Sequence, residues 1–460
     1  MKKKQWMALV MAAAVATGVT GCDSDTDPDR SQESTQAKLT WWTQLFPHVA
    51  QTATNFGEVE LYKELEKRTG VQLEFIHPAA GQVTEAFNIM LASEEYPDLI
   101  TWDFTTYKGG PQKALDDGII MELDNYLPQA KNYSKVLQEH PDWEKQTITD
   151  QGKHYTFALF YGEDWLTCWY GPQIRKDLLD QAGLPLPETI DDWDRTLYAF
   201  KEMGVPYPLS VTGKDLQSVF SGAFGVAEGY YQENGIVKHG LCEAGFKDYL
   251  ALINRWYTDG LLDPDFYAQD GKTFEAKLTS GKVGAYLGAV GGAMGKYIPV
   301  LKTVDESYSL SGTKFPTQER GTLPRFGVKN NDYYPTTSVS ISTQCKNMDA
   351  AVKFLDYGYS EEGHMLYNFG IEGVSYNMVD GYPQFTDLIL KNPEGLSIQH
   401  AMGKYLAAVY GGPFVQDPRY FEQYLPYDEQ KEAIQMWAQQ DSSTHLPLIV
   451  FTTEEAEVIS

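Results

Sequence analysis

Cysteine is scarce in this chain, with four in 460 residues at positions 22, 168, 242 and 345. The last three are widely spaced and odd in number, so no disulfide framework is implied and three buried free thiols are expected. Positive charge is also short: 37 Lys and Arg stand against 63 Asp and Glu, a formal net charge of −26. A polyphosphate partner needs basic side chains to release its counterions, so nucleic acid is not an expected partner. The eight histidines are scattered, with no His-Glu-x-x-His pair and no Cys-x-x-Cys, and neither a metal nor a cofactor is expected. Gly288 to Lys296 is glycine rich, yet Val290 stands where a phosphate loop needs glycine and Tyr297 where it needs Ser or Thr. Gly373-Val374-Ser375-Tyr376-Asn377 lacks the final glycine of a nucleophile elbow. No local carboxylate pair marks a glycosidase acid and nucleophile. Nothing here identifies an enzyme, and no internal repeat or heptad is visible.

What is present is size, apolar content and rings. A chain of 460 residues with 42% hydrophobic residues can bury two domain cores. Its 10 Trp, 30 Tyr and 21 Phe offer flat apolar faces, many with polar edges. At the front, Lys2, Lys3 and Lys4 precede an alanine-rich apolar run from Trp6 to Ala16, as in a secretory signal. That run is shorter than the roughly 20 residues a bilayer span needs. It ends in Val19-Thr20-Gly21-Cys22, which resembles a bacterial lipobox whose cysteine becomes the lipidated mature N-terminus. Losing the three lysines takes the formal charge from −26 to −29. Residues 23–37 are mostly Asp, Ser, Thr, Gln and Pro, the composition of a solvated tether.

From Lys38 the pattern alternates. Leu39-Thr40-Trp41 is extended, Leu61, Tyr62 and Leu65 have helical spacing, and Val71, Leu73 and Phe75 alternate as a strand. A second helix around Phe87 and Met90 leads to Leu99-Ile100-Thr101-Trp102. This β-α-β-α-β order predicts a parallel α/β sheet whose ligands sit beyond the carboxyl ends of the strands. Thr189 reads as the N-cap of a helix in which Trp193 is core, and Trp256 is core in a later helix.

Four segments carry a resemblance to a known family: Ser93 to Ile100; Arg175 to Leu178 with Gly183 to Trp193; Gly281 to Tyr286; and Cys345 to Tyr357 with Ser360 to Gly363 and Tyr367 to Gly373. Together with the lipobox they resemble the extracellular solute-binding lipoproteins of bacterial carbohydrate ABC importers, in the larger subgroup serving oligosaccharides. The resemblance implies a two-lobed periplasmic-binding-protein-like α/β fold, with crossing strands between the lobes, that closes by a hinge around its sugar. It places the crossings near residues 153–156 and 335–340. The implied organisation is a signal peptide over 1–21, a tether over 22–37, lobe one over 38–152 with a return at 336–400, and lobe two over 153–335 and 401–460. It also implies a lipid-anchored monomer on the outer face of the cell membrane that hands an oligosaccharide to ABC permease subunits, with no chemistry of its own. The rival readings are a peptide receptor of the same fold, a secreted glycan-active enzyme and a surface adhesion protein.

Sugars stack their C–H faces on aromatic rings and offer hydroxyls to polar groups. On that basis the ligand-binding candidates are Trp42, Trp102, Trp165, Trp169, Tyr170, Tyr286 and Tyr376, with His77 and Asp103 at strand ends for hydroxyls. Arg320 and Arg325 read as flanking a solvated loop, the alternative being a loop that meets an anionic sugar. Two departures stand out. Many relatives carry an acidic, EF-hand-like calcium insertion after the Asp-Asp-Trp helix, whereas Phe200 to Pro208 offers only Glu202 and carbonyls, so no calcium is expected there. Asp259, Asp263 and Asp265 read as turn and helix-capping residues, with an isolated calcium site there as the alternative. Relatives also continue beyond a segment like Phe451 to Glu455 with further helices of the second lobe, so a chain ending at Ser460 reads either as truncated or as a natural short form.

Overall fold

The alternation in Val71–Ile76 and the helical spacing before it do build a β-α-β-α-β unit. The computed structural model describes residues 37–446 together with 448, 449, 451, 452, 454, 455 and 458. The expected signal peptide, Cys22 and the expected tether up to residue 36 lie outside the described residues. The strands in chain order are β1 (Ala37–Trp42), β2 (Val71–Ile76), β3 (Leu99–Thr101) and β4 (Phe157–Phe160). Next come β5 (Tyr170–Arg175), β6 (Tyr207–Leu209), the hairpin β7 (Tyr230–Glu233) and β8 (Ile236–His239), β9 (Val283–Ala289) and β10 (Leu310–Gly312). The last are β11 (Tyr333–Ile341) and the hairpin β12 (Tyr376–Val379) and β13 (Tyr382–Phe385). Ala37, assigned to the tether by composition, already pairs with Val71.

Two main sheets result. The first runs β2-β1-β3-β11-β4, with β1 parallel to β2 and β3 and β11 antiparallel to β3 and β4. The second runs β10-β5-β9-β6. Successive side chains of a strand face opposite ways, so neighbouring tryptophans in β1 serve two cores. Trp41 packs on Tyr62, Phe75 and Phe354, while Trp42 packs on Phe87 and Trp102. The helix Glu60–Thr69 buries Leu61, Tyr62 and Leu65 and stops at Gly70, whose φ of 71° is the left-handed C-cap that glycine adopts without strain.

In the second lobe the helix Ile190–Glu202 opens with a reciprocal Thr189–Asp192 capping box. Trp193 and Trp256 are fully buried and both meet Phe220 edge to face. Arg320 pairs with Glu188 and Asp192, and Arg325 with Glu233, so both arginines tie loops to the protein itself. At the Asp263–Asp265 group the positive charge comes from Lys277, whose Nζ lies 2.8 and 2.7 Å from the two Asp263 oxygens and 3.2 Å from Asp265. Asp259 instead accepts from Tyr198 and Lys201. Among the described residues no group of His, Cys, Asp and Glu is arranged to hold a metal. Cys168 and Cys345 are buried, but Cys242 is exposed, where burial was expected of all three.

The chain passes between the sheets later than the sequence suggests. Residues 153–156 lead into β4, which still pairs with β11 in the first sheet, so the first passage follows Phe160. The helix Ile398–Tyr405 packs against the helix Glu60–Thr69 of lobe one, so the return segment runs beyond residue 400. The helix Asp428–Trp437 lies on β10 and β5 of the second sheet.

Candidate functional site

Three passages lie side by side where the sheets meet. Phe160 donates its N–H to Phe414 O at 3.1 Å and accepts from Gln416 N–H at 2.8 Å, while Tyr161 N–H donates to Asp332 O at 2.9 Å. The pairing of β11 with β4 shifts register between Tyr334 and Val339, an irregularity that bends the strand where it leaves the sheet. Close approach demands glycine at two points. A Cβ on Gly162 (φ +79°) would stand 2.6 Å from Gln416 O, and one on Gly411 (φ +102°) would overlap the Thr337 side chain.

Beside these passages lies a cavity of about 270 Å³. Its walls come from the carboxyl ends of strands in both lobes: Phe46 beyond β1, Tyr161 beyond β4, and Gly291 and Gly292 beyond β9. Trp169, Tyr334, Tyr410, Phe421 and Tyr424 complete an aromatic lining. Val290 N–H donates to Trp169 O at 2.9 Å and Val290 O accepts from Gln430 Nε2 at 2.7 Å, which fixes the glycine loop against the tryptophan. Three side-chain amides and hydroxyls outside the tyrosines reach the cavity: Thr337, Gln399 and Gln416. Thr337 Oγ1 is buried with no partner. Apolar rings with a few convergent polar groups are the usual make-up of a small-molecule site.

The helix Pro418–Tyr424, which brings Phe421 and Tyr424, is fastened at its start by Asp417. That carboxylate accepts from Arg419 N–H and Nε, each at 2.9 Å, and from His364 Nε2 at 2.9 Å. Burial alone would raise the Asp417 carboxyl, but the hydrogen bonds from Arg419 and His364 outweigh it and hold the group well below the usual carboxylate range.

Of the residues predicted from the sequence, Trp169 lines the cavity. Trp165 stands next to it, 5.7 Å from Phe421 between ring centroids, and faces a neighbouring cavity of about 770 Å³. Tyr170 points to a further cavity of about 380 Å³ with Asp215 and Glu228. Trp42 is buried, and Trp102 stacks on Phe87 at 3.9 Å with the planes 7° apart, so both belong to a packed cluster and neither is among the residues lining the cavity. Tyr286 is buried among Phe274, Tyr297 and Tyr308, which pushes its hydroxyl well above the usual tyrosine range. Tyr376 is buried on Phe369. Asp103 caps a short helix through Thr105 N at 3.0 Å. Both nitrogens of His77 are spent: Nδ1 lies 2.8 Å from Thr43 O and Nε2 accepts Phe56 N–H at 3.1 Å. Tyr286, Tyr376 and His77 are thus held by packing and backbone hydrogen bonds and are not among the residues lining the cavity. The sequence reading passed over Phe46, Tyr161, Tyr334, Tyr410 and Tyr424. The one local signal was Tyr410-Gly411-Gly412-Pro413, a ring beside glycines that let two backbones meet.

The model of the bacterial extracellular solute-binding protein family matches residues 53–365, more than half of the chain. The chain belongs to that family. This solute-binding protein is 26% identical over 417 residues to lipoprotein LipO of Bacillus subtilis (strain 168), covering 86% of the chain and 78% of LipO. It is 24% identical over 349 residues to the fructooligosaccharide ABC transporter substrate-binding protein FusA of Streptococcus pneumoniae, covering 69% of the chain and 60% of FusA. Among solved structures it resembles the alginate-binding protein AlgQ2 without calcium ion, with a TM-score of 0.75, 22% identity, and coverage of 92% of this chain and 87% of that one. The α/β two-lobed fold expected from the sequence is the fold of this solute-binding protein.

Proposed function

We propose that this solute-binding protein is the extracytoplasmic receptor of a carbohydrate ABC importer, holding an oligosaccharide between its lobes and passing it to permease subunits. The observation that carries this reading is the aromatic cavity built where the three passages join the two sheets. Rings there can stack on sugar C–H faces, and Thr337, Gln399 and Gln416 can meet hydroxyls. Closure of the lobes is a two-state equilibrium, and a sugar that touches both walls favours the closed state by the contacts it makes only there. The relatives support a saccharide: FusA is named for fructooligosaccharides and AlgQ2 for alginate. No step of covalent chemistry enters the proposal.

The same reading places a lipid on Cys22, holding a monomer at the outer face of the membrane through the polar tether. Cys22→Ser is expected to move the protein from the membrane to the soluble fraction, and unchanged membrane retention would remove the anchor. Intrinsic tryptophan fluorescence and melting temperature, followed across a panel of oligosaccharides with chromatography of the sugars afterwards, test the receptor itself. Saturable shifts with the sugars intact are expected. Hydrolysis products would instead reveal an enzyme, and a response to peptides alone would make this a peptide receptor.

A further inference from the structure

The relatives do not agree on charge. Fructooligosaccharides are neutral, whereas alginate is a chain of uronates, one carboxylate per ring. The walls of the cavity speak to this difference. Among the described residues that line it there is no Asp, Glu, Lys, Arg or His. A carboxylate buried there would lose water and gain no counter-ion, and an uncompensated buried charge is strongly disfavoured.

The polar groups present suit hydroxyls better than anions. Gln416 Nε2 spends one of its two hydrogens on Ala408 O at 2.8 Å, and its side-chain carbonyl oxygen has no hydrogen-bond partner among the described residues. That oxygen accepts from a sugar hydroxyl and repels a carboxylate. Thr337 Oγ1, buried and unpartnered, can donate or accept as a hydroxyl requires. Outside the lining, the Asp103 carboxylate acts on the Tyr334 hydroxyl in the wall, and the His48 ring stands about 6 Å from the Phe46 and Tyr410 rings with its basicity lowered by burial. The cavity at Tyr170 brings two carboxylates, Asp215 and Glu228, to one ammonium, Lys329, beside His445, so it supplies no net positive field either.

We infer that this cavity accepts uncharged saccharide units and rejects uronates, so that the ligand is a neutral oligosaccharide. The inference rests on the sugar-receptor reading and adds the chemical class that the relatives leave open. It is tested on the full chain by calorimetry at pH 7 with neutral fructo-, galacto-, gluco- and xylo-oligosaccharides, and with oligogalacturonates and oligoalginates. The neutral sugar that binds most tightly is then oxidised at C6 to its uronate and titrated again. Binding at least about 100-fold weaker for the oxidised sugar is expected, the size of effect that burial of an unpaired charge gives. A loss of less than tenfold, or tighter binding of any uronate than of every neutral sugar, would overturn the inference. If neither class binds, it is the receptor reading that falls. A second variant checks the cause: Gln399→Arg, which puts a cation at the cavity edge, is expected to narrow the gap between the two sugars at least tenfold. An unchanged gap in a folded Gln399→Arg protein would show that the missing counter-charge is not the reason.

Discussion

Replacing Gly162 by alanine tests whether the three passages are held as closely as the geometry says. Gly162 follows β4 at φ +79°, and a Cβ there would stand 2.6 Å from Gln416 O and 3.2 Å from a Val415 methyl. The carbonyl is held against rotation, because the Asp417 N–H in the same peptide plane donates to Asn368 Oδ1 at 2.9 Å. Two costs add. The left-handed conformation costs a residue with a Cβ about 1 kcal/mol or slightly more, and forcing atoms into an occupied space costs about 1–3 kcal/mol. Gly70 supplies the control: its φ is +71° with nothing within 4 Å of an added Cβ, so Gly70→Ala carries the first cost alone. Urea denaturation of both variants, with unchanged slope, should show Gly162→Ala less stable than the wild type by about 2–4 kcal/mol and Gly70→Ala by about 1. Oligosaccharide affinity should fall at least tenfold in Gly162→Ala and stay unchanged in Gly70→Ala. If the two alanines cost the same, the close approach of the passages is not real and the reasoning fails.

Two further predictions concern acid and packing. Burial, with the charge of His400 adding to it, pushes His48 down to about 4, while an unfolded histidine titrates near 6.5. The unfolded chain therefore takes up the proton first, and the stability that His48 contributes is present above about pH 6.5 and lost as pH falls towards 4. Urea midpoints of wild type and His48→Gln should converge by an increasing amount between pH 7 and pH 5, and a constant difference would contradict the assignment. The depressed Asp417 carboxyl acts lower: its contribution, measured against Asp417→Asn, is full at pH 7 and declines only as pH drops through the ordinary Asp range near 3.9. Trp102→Ala removes the ring stacked on Phe87 and should lower stability by about 3 kcal/mol while sugar affinity in the folded fraction stays within about threefold. A large affinity loss without a stability loss would return Trp102 to the binding site.

Much of the fold was legible because local pattern and tertiary demand agree. Leu61, Tyr62 and Leu65 on a helix face and Val71 and Phe75 on a strand face bury the sides their spacing predicts. Thr189 forms the cap it promised. The site was less legible. Strand-end position pointed to Trp42 and Trp102, but alternation turns Trp42 into a core, and Phe87, two strands' connection away, claims the face of Trp102. Tyr286 could not be sorted by alternation, since the first six positions of β9 are all buried and the strand has no wet side. Tyr161, Tyr334 and Tyr410 reach one cavity only because three passages far apart in sequence are laid together, and no window of sequence contains that fact.

Calorimetric titration of a neutral oligosaccharide into the wild-type protein and into Trp169→Ala tests the central claim most directly, since Trp169 is a candidate from the sequence that also lines the cavity. Saturable one-to-one binding is predicted for the wild type, with a loss of about 1–3 kcal/mol, the worth of a ring's buried apolar area, in the variant. Full affinity in a folded Trp169→Ala protein would contradict the placement of the sugar between the lobes.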